Sequence, residues 1–184
     1  MIEFCNPRTR RLGAIDTTSR SRNWSRGLSP FFLGPVDLYD GYISKNVENG
    51  WQFSKVYADH VDENQDPTSS YFTWAEWGWD QSWAKRYPKG KGAKPLYSYW
   101  DGEKLDYIEA RKRIYCPLYS KAVENTETFT KLKRLYEEGD ILLFDFDCYD
   151  PKGMSYEEIL NCPTKKMGHA FVLAMMLEGE RVWE

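Results

Sequence analysis

No apolar run in this 184-residue chain approaches the roughly 18 residues that a membrane-crossing helix requires. The first residues, Met1-Ile2-Glu3-Phe4-Cys5-Asn6-Pro7, lack an apolar core of signal-peptide length, and Arg8, Arg10 and Arg11 lead into polar sequence. The expected setting is the cytoplasm, with no membrane partner. Cysteine and histidine are scarce: Cys5, Cys116, Cys148 and Cys162 form no CxxC pair, and His60 and His169 are the two histidines. That spacing excludes the usual zinc frameworks and predicts reduced, structural thiols with no metal site. Excess basic charge is missing as well. Twenty-five Lys and Arg stand against 28 Asp and Glu, a net charge of -3, which argues against a broadly basic nucleic-acid-coating surface but leaves a local basic patch open. No GxSxG, HExxH or Walker spacing is found. No cofactor is expected.

What the chain has in unusual amount is aromatic side chains, 16% of residues with eight tryptophans. Such rings serve a core, and two or three of them suit a pocket wall that stacks on a flat ligand. The length fits one domain. Residues 1–27 are polar, rich in Ser, Thr and Arg and without periodicity, and read as an arm over the surface or a partly disordered segment, whose trimming would leave the core intact; residues 28–184 read as the domain. Turn residues punctuate an apolar run over 30–41, predicting one or two short strands. Apolar spacing predicts helices over 47–62, 72–87, 103–123 and 126–138, with Asn46 capping the first, Pro117 kinking or reopening the third, and Gly139 stopping the fourth. Residues 141–147 are the clearest strand. Helices over 155–160 and 168–177 complete an α+β fold in which helices dominate and strands are few and short.

Within the first helix, Glu48 and Lys55 lie two turns apart, about 10 Å along the axis and within about 20° of one face, with Trp51 and Gln52 between them. Phe53, Val56 and Tyr57 project elsewhere and can dock the helix in the core. Acid, amide, aromatic and amine on one face make a usable site; the same stripe is also the ordinary outer side of an amphipathic helix. At the end of the 141–147 strand, Asp145 and Asp147 share a side. Such a pair can hold a divalent cation, bond a ribose hydroxyl, or cap the helix that follows. The segment Arg86-Tyr87-Pro88-Lys89-Gly90-Lys91-Gly92-Ala93-Lys94 offers glycine backbone and cations to a phosphate, or is simply a basic turn. Trp100, before the Asp101-Gly102 turn, adds aromatic surface nearby in sequence. His169, opening an apolar helix beside Gly168, fits a packing or capping role.

The runs Leu28-Ser29-Pro30-Phe31 and Val47-Glu48-Asn49-Gly50-Trp51-Gln52-Phe53-Ser54-Lys55 resemble the LSNF and TxEHxFQxxKF segments of the NADAR (YbiA-like) superfamily. The layout of 117–150 and of Met167-Gly168-His169-Ala170-Phe171-Val172-Leu173 is similar to that family's later helices and strand. Departures mark a divergent member: Asn49 stands where the family has histidine, Pro30 where it has asparagine, the terminal D-x-x-WG is absent, and Trp74 to Trp100 is an insertion without counterpart. The resemblance implies a YbiA-like fold and an N-glycosidase acting on ADP-ribose or ribose-phosphate N-glycosides, such as ADP-ribosylated guanine. It implies Glu48 or Asp147 as the acid and Lys55 as a nucleophile passing through a Schiff base. Phe31 and Trp51 would stack on base or ribose, and Arg86, Lys91, Gly90 and Gly92 would meet phosphates. Ser29, Gln52, Trp100, Asp145 and His169 complete the expected ligand set. The expected partner is a small nucleotide or an ADP-ribosylated base, free or within modified nucleic acid. A non-catalytic module that captures an NAD-derived or ADP-ribose-type nucleotide would use the same groups, and an aromatic protein-docking surface or a nucleic-acid binder are further readings.

Overall fold

The computed structural model describes residues 1–184 as an α+β fold. Its eight short strands are β1 (Ile2–Cys5), β2 (Ile15–Asp16), β3 (Val36–Asp37), β4 (Ile43–Ser44), β5 (Lys55–Val56), β6 (Tyr97–Trp100), β7 (Glu103–Leu105) and β8 (Ile141–Phe144). The helices are α1 (Val47–Gln52), α2 (Ser69–Trp79), α3 (Tyr107–Ala110), α4 (Cys116–Val123), α5 (Glu127–Glu138), α6 (Tyr156–Leu160) and α7 (His169–Glu178). No helix is long and apolar enough to cross a membrane.

At the centre lies α7, buried from His169 to Met176. It is apolar on every side, as a helix enclosed by other elements must be. A parallel sheet in the order β1-β8-β2 lies against it, and the Phe4 and Phe171 rings meet at 4.5 Å. The first 27 residues are therefore no detachable arm. Phe4 pairs with Leu143 and Ile15 also pairs with Leu143 from the other side, so both outer strands come from the polar start of the chain. Their alternation is too short to register as a strand pattern, and β8, apolar on both faces, supplies the missing partner.

A second layer, the antiparallel sheet β5-β6-β7 with α2, encloses an aromatic cluster around Phe53, Val56, Tyr71, Ala75 and Trp79. Here the chain departs from the spacing-based expectation. The single helix predicted over 47–62 is instead α1, a turn, β5 and a 3-10 turn at Ala58–His60. Ser54 Oγ donates to the Trp51 carbonyl at 2.7 Å, ending the helix, and β5 then pairs with β6. The helix predicted over 72–87 begins at Ser69 and stops at Trp79, because side-chain amides of Asn46 and Asn49 capture the carbonyls of the following residues. The stretch 103–123 opens as β7. Its helix starts after Asp106, which caps the Glu109 N–H at 2.8 Å, and widens into a π-helical turn over Arg111–Tyr115 before α4. Pro117, having no N–H to return to the preceding turn, lies at the start of α4. By contrast α5 follows expectation, capped by Thr126 and closed at Gly139. The 141–147 strand ends early, at Phe144, where the chain turns to place its aspartates.

Candidate functional site

Six segments converge on a cleft of about 700 Å³: residues 18–19, residues 29–31, α1 with β5, the loop 86–95, the turn 145–147, and 163–169 at the start of α7. The π-helical turn adds a wall through Arg111 and Tyr115, next to Tyr107 of α3.

The position of α1 follows from its cap. Asn46 accepts from the Asn49 N–H at 2.8 Å, while the Val47 and Glu48 N–H groups donate to the Leu33 and Pro30 carbonyls at 2.8 and 3.1 Å. The segment bearing Ser29 and Phe31 is thereby fastened to the helix end, and all six residues of α1 are buried. Although Lys55 is on β5 and not on the helix, the expected group assembles. Lys55 Nζ donates to Gln52 Oε1 at 3.0 Å, and Gln52 Nε2 donates to Glu48 Oε1 at 3.0 Å. One amide thus orients both ionisable groups. Burial pushes the Glu48 carboxyl up, against the opposing pull of Gln52, Lys55, Arg86 and His169. Burial also pulls the Lys55 ammonium down from 10.5 to about 8, with Glu48 acting in the other direction. Burial thus shifts the carboxyl toward its acid form and the amine toward its free base, the directions in which a general acid and a nucleophile are tuned. Lys55 Nζ also stands 5.0 Å from the Trp51 ring, which packs on Tyr115 at 5.2 Å.

Beyond β8, the two aspartates have separate tasks. Asp145 is 4% exposed; its Oδ2 accepts from the Ala170 N–H at 3.3 Å and lies 3.2 Å from His169 Nδ1. His169 Nε2 donates to the Thr17 carbonyl at 2.8 Å, which only accepts. Of the roles open to Asp145, the helix cap is the one its contacts fit. No three His, Cys, Asp or Glu side chains gather into a cation site. Gly168 permits this arrangement, since a Cβ there would stand 2.1 Å from Asp145 Oδ2. Asp147 is a third exposed and pairs with Arg86 at 3.2 Å, joining the 86–95 loop to the sheet end.

Of the expected residues, Glu48, Lys55, Asp147, Ser29, Phe31, Trp51, Gln52, Arg86, Gly90, Gly92, Asp145 and His169 all line the one cleft. Two do not. Lys91 is exposed outside the lining. Trp100 packs into the core on Tyr39 at 5.0 Å, because β6 turns it toward that ring.

Spacing and motif gave no sign of Arg111, which is 1% exposed and donates to the carbonyls of Leu160, Cys162 and Lys165. It forms no ion pair with a carboxylate, and its Nε has no partner. Lys165 and Lys166, beside the Gly168-His169 pair, were likewise missed. Six cations (Lys55, Arg86, Lys94, Arg111, Lys165, Lys166) line the cleft against three carboxylates (Glu48, Asp145, Asp147). In a chain of net charge -3, this concentrates positive potential where an anionic ligand would bind.

No curated protein and no solved structure matches the chain. A family profile does, over residues 6–155, a span that includes α1, β5 and both aspartates but ends before Arg111's carbonyl partners and His169. The chain belongs to the Family of unknown function (DUF6939).

Proposed function

We propose that this protein is an N-glycosidase that cleaves the bond between a base and the ribose of an ADP-ribose or ribose-phosphate N-glycoside, of which ADP-ribosylated guanine is an example. The observation that carries the reading is the Glu48-Gln52-Lys55 relay inside a cleft with surplus positive charge. The resemblance of the same residues to the NADAR superfamily agrees with it.

In this reading the phosphates lie against the cations, and the base or ribose lies against Phe31 and Trp51. Glu48 Oε1 is occupied by the Gln52 amide, so a proton on Glu48 belongs on Oε2. Neutral Lys55 gives one hydrogen to Gln52 and keeps its lone pair for the anomeric carbon. As the Nζ–C1 bond forms, the bond from C1 to the base nitrogen breaks, and the departing base takes the proton of Glu48; Asp147, paired with Arg86, stays a carboxylate at the rim of the cleft. Glu48, now a carboxylate, takes up the proton that Lys55 loses and gives it to the ring oxygen as the ribose ring opens to a Schiff base; water then hydrolyses the Schiff base, returning free amine and free ADP-ribose or ribose phosphate.

The test is incubation with ADP-ribosylated guanosine and with NAD, following base and ribose release by chromatography. Release from the wild type, lost in both Glu48→Gln and Lys55→Ala, is the expected result. Retained release after Lys55→Ala removes the covalent step, and retained release after Glu48→Gln removes the acid. Binding of ADP-ribose without release would make the cleft a capture module.

A further inference from the structure

Between Gln81 and Trp100 the chain carries five cations and no carboxylate, an interruption in an otherwise acidic protein. Two of the five are neutralised, Arg86 by Asp147 and Lys89 by Asp59. Lys85, Lys91 and Lys94 form no ion pair, nor do Lys165 and Lys166 across the cleft. The same stretch exposes aromatic rings: Trp83 is 58% exposed and Tyr87 43%, with Trp77 of α2 beside them at 48%. Lys85 Nζ stands 5.0 Å from the Trp77 ring and 5.5 Å from the Trp83 ring, so cation and ring faces alternate along the surface.

This strip is held in place by the residue next to the candidate acid. Asn49, fully buried, donates through Nδ2 to the Trp83 carbonyl at 3.0 Å and accepts through Oδ1 from the Lys85 N–H at 2.8 Å. From there the chain runs directly into the cleft wall at Arg86, Tyr87 and Lys94. An ordered row of unpaired lysines with exposed rings, ending in a cleft of nucleotide size, has the chemistry of a single-strand platform: cations track phosphates and rings stack on unpaired bases. A duplex hides its base faces from such rings. A bilayer surface would call for aliphatic insertion, and Leu96 is the one large exposed aliphatic side chain in the stretch.

We propose that the Trp83–Lys94 strip binds single-stranded nucleic acid and leads one of its nucleotides toward the cleft. Binding is measured without turnover, so its failure and that of the glycosidase reading are separate results.

The test is fluorescence anisotropy of the full-length protein with labelled single-stranded DNA and RNA of one mixed sequence, the matching duplex, and anionic phospholipid vesicles, each over a salt series. Three unpaired lysines on three phosphates give a log–log salt slope of about 2 in magnitude from this strip. Combined Lys85→Gln, Lys91→Gln and Lys94→Gln substitution should remove that contribution, and Trp83→Ala should weaken binding about five-fold or more. Both variants should keep the wild-type circular dichroism spectrum and thermal transition; because these side chains are at the surface, a variant that does not is replaced by the single Lys91→Gln, expected to lower the slope by about 0.7. Preference for DNA or for RNA would identify the source of the strand. No binding to either, equal or tighter binding to duplex or vesicles, or affinity and slope unchanged in the folded variants would overturn the proposal.

Discussion

Replacing Lys55 by methionine keeps the length of the side chain and removes its charge, and the structure sets what that should do to stability. Burial lowers the Lys55 pKa from 10.5 to about 8. Between those values the unfolded chain holds a proton that the folded chain has released, so stability rises with pH across that window. At 1.36 kcal/mol per pH unit, holding Lys55 charged in the fold below pH 8 costs about 3 kcal/mol. Methionine carries no such penalty. It does lose the hydrogen bond to Gln52 Oε1, a pH-independent offset of about 1 kcal/mol. At pH 7 the Lys55→Met protein should therefore be the more stable by about 2 kcal/mol. As pH rises from 8 toward 10.5, the wild type should recover the difference and end about level or slightly ahead. Urea unfolding of both proteins at intervals from pH 7 to 10.5 measures this directly, and taking the difference cancels the tyrosines and other lysines that titrate in both. A difference that stays constant with pH would refute the account of Lys55 as a desolvated amine, and with it the basis for its nucleophilicity.

Other perturbations follow from specific contacts. Gly168→Ala would drive a methyl group to 2.1 Å from Asp145 Oδ2; displacing that buried carboxylate from the Ala170 N–H and His169 should lower stability by about 2–4 kcal/mol in denaturant unfolding. Asn49→Ala strips partners from the Lys85 N–H and the Trp83 carbonyl, and a loss of about 2–3 kcal/mol should accompany faster hydrogen exchange at the Lys85 amide. Glu48→Gln keeps shape while removing a carboxyl whose pKa burial has raised. In the wild type, the folded carboxyl binds protons more tightly than the unfolded one, so stability falls as pH rises through the ordinary carboxylate range. The variant should gain on the wild type over that range, seen as a growing difference in unfolding midpoint from acid to neutral pH.

How much of this the sequence disclosed depends on whether a feature was local. The extent of α5 and its stop at Gly139 were legible because a periodic segment and its stop are local, and Thr126, read as its first residue, is its cap. Glu48, Gln52 and Lys55 come together as expected although Lys55 is on a strand. The turn at Phe53 and Ser54 folds the amine back toward the amide that helical geometry would also have brought near it. The resemblance to NADAR led to the same three residues and to Phe31, which the fastening of residues 29–33 to the start of α1 brings to the cleft. What escaped was nonlocal. The role of β1 and β2 depends on β8, some 140 residues away from Ile2 in the chain, and strands of four and two residues are too short to show a period. Arg111 reaches the cleft wall through carbonyls of a later loop, and nothing in its own surroundings signals that partner. Trp100 fell on the core side for the reverse reason: its proximity in sequence to the basic loop carried no information about which ring it would meet.

The most direct test of the central claim is chemical capture at Lys55. The wild-type protein turning over ADP-ribosylated guanosine would be treated with sodium borohydride, digested and analysed by peptide mass spectrometry. The account predicts a reduced ribose adduct on the peptide bearing Lys55, absent without substrate and absent from Lys55→Ala. Base release with no adduct at Lys55, or an adduct confined to the exposed lysines of the 86–95 loop and Lys165–Lys166, would contradict it.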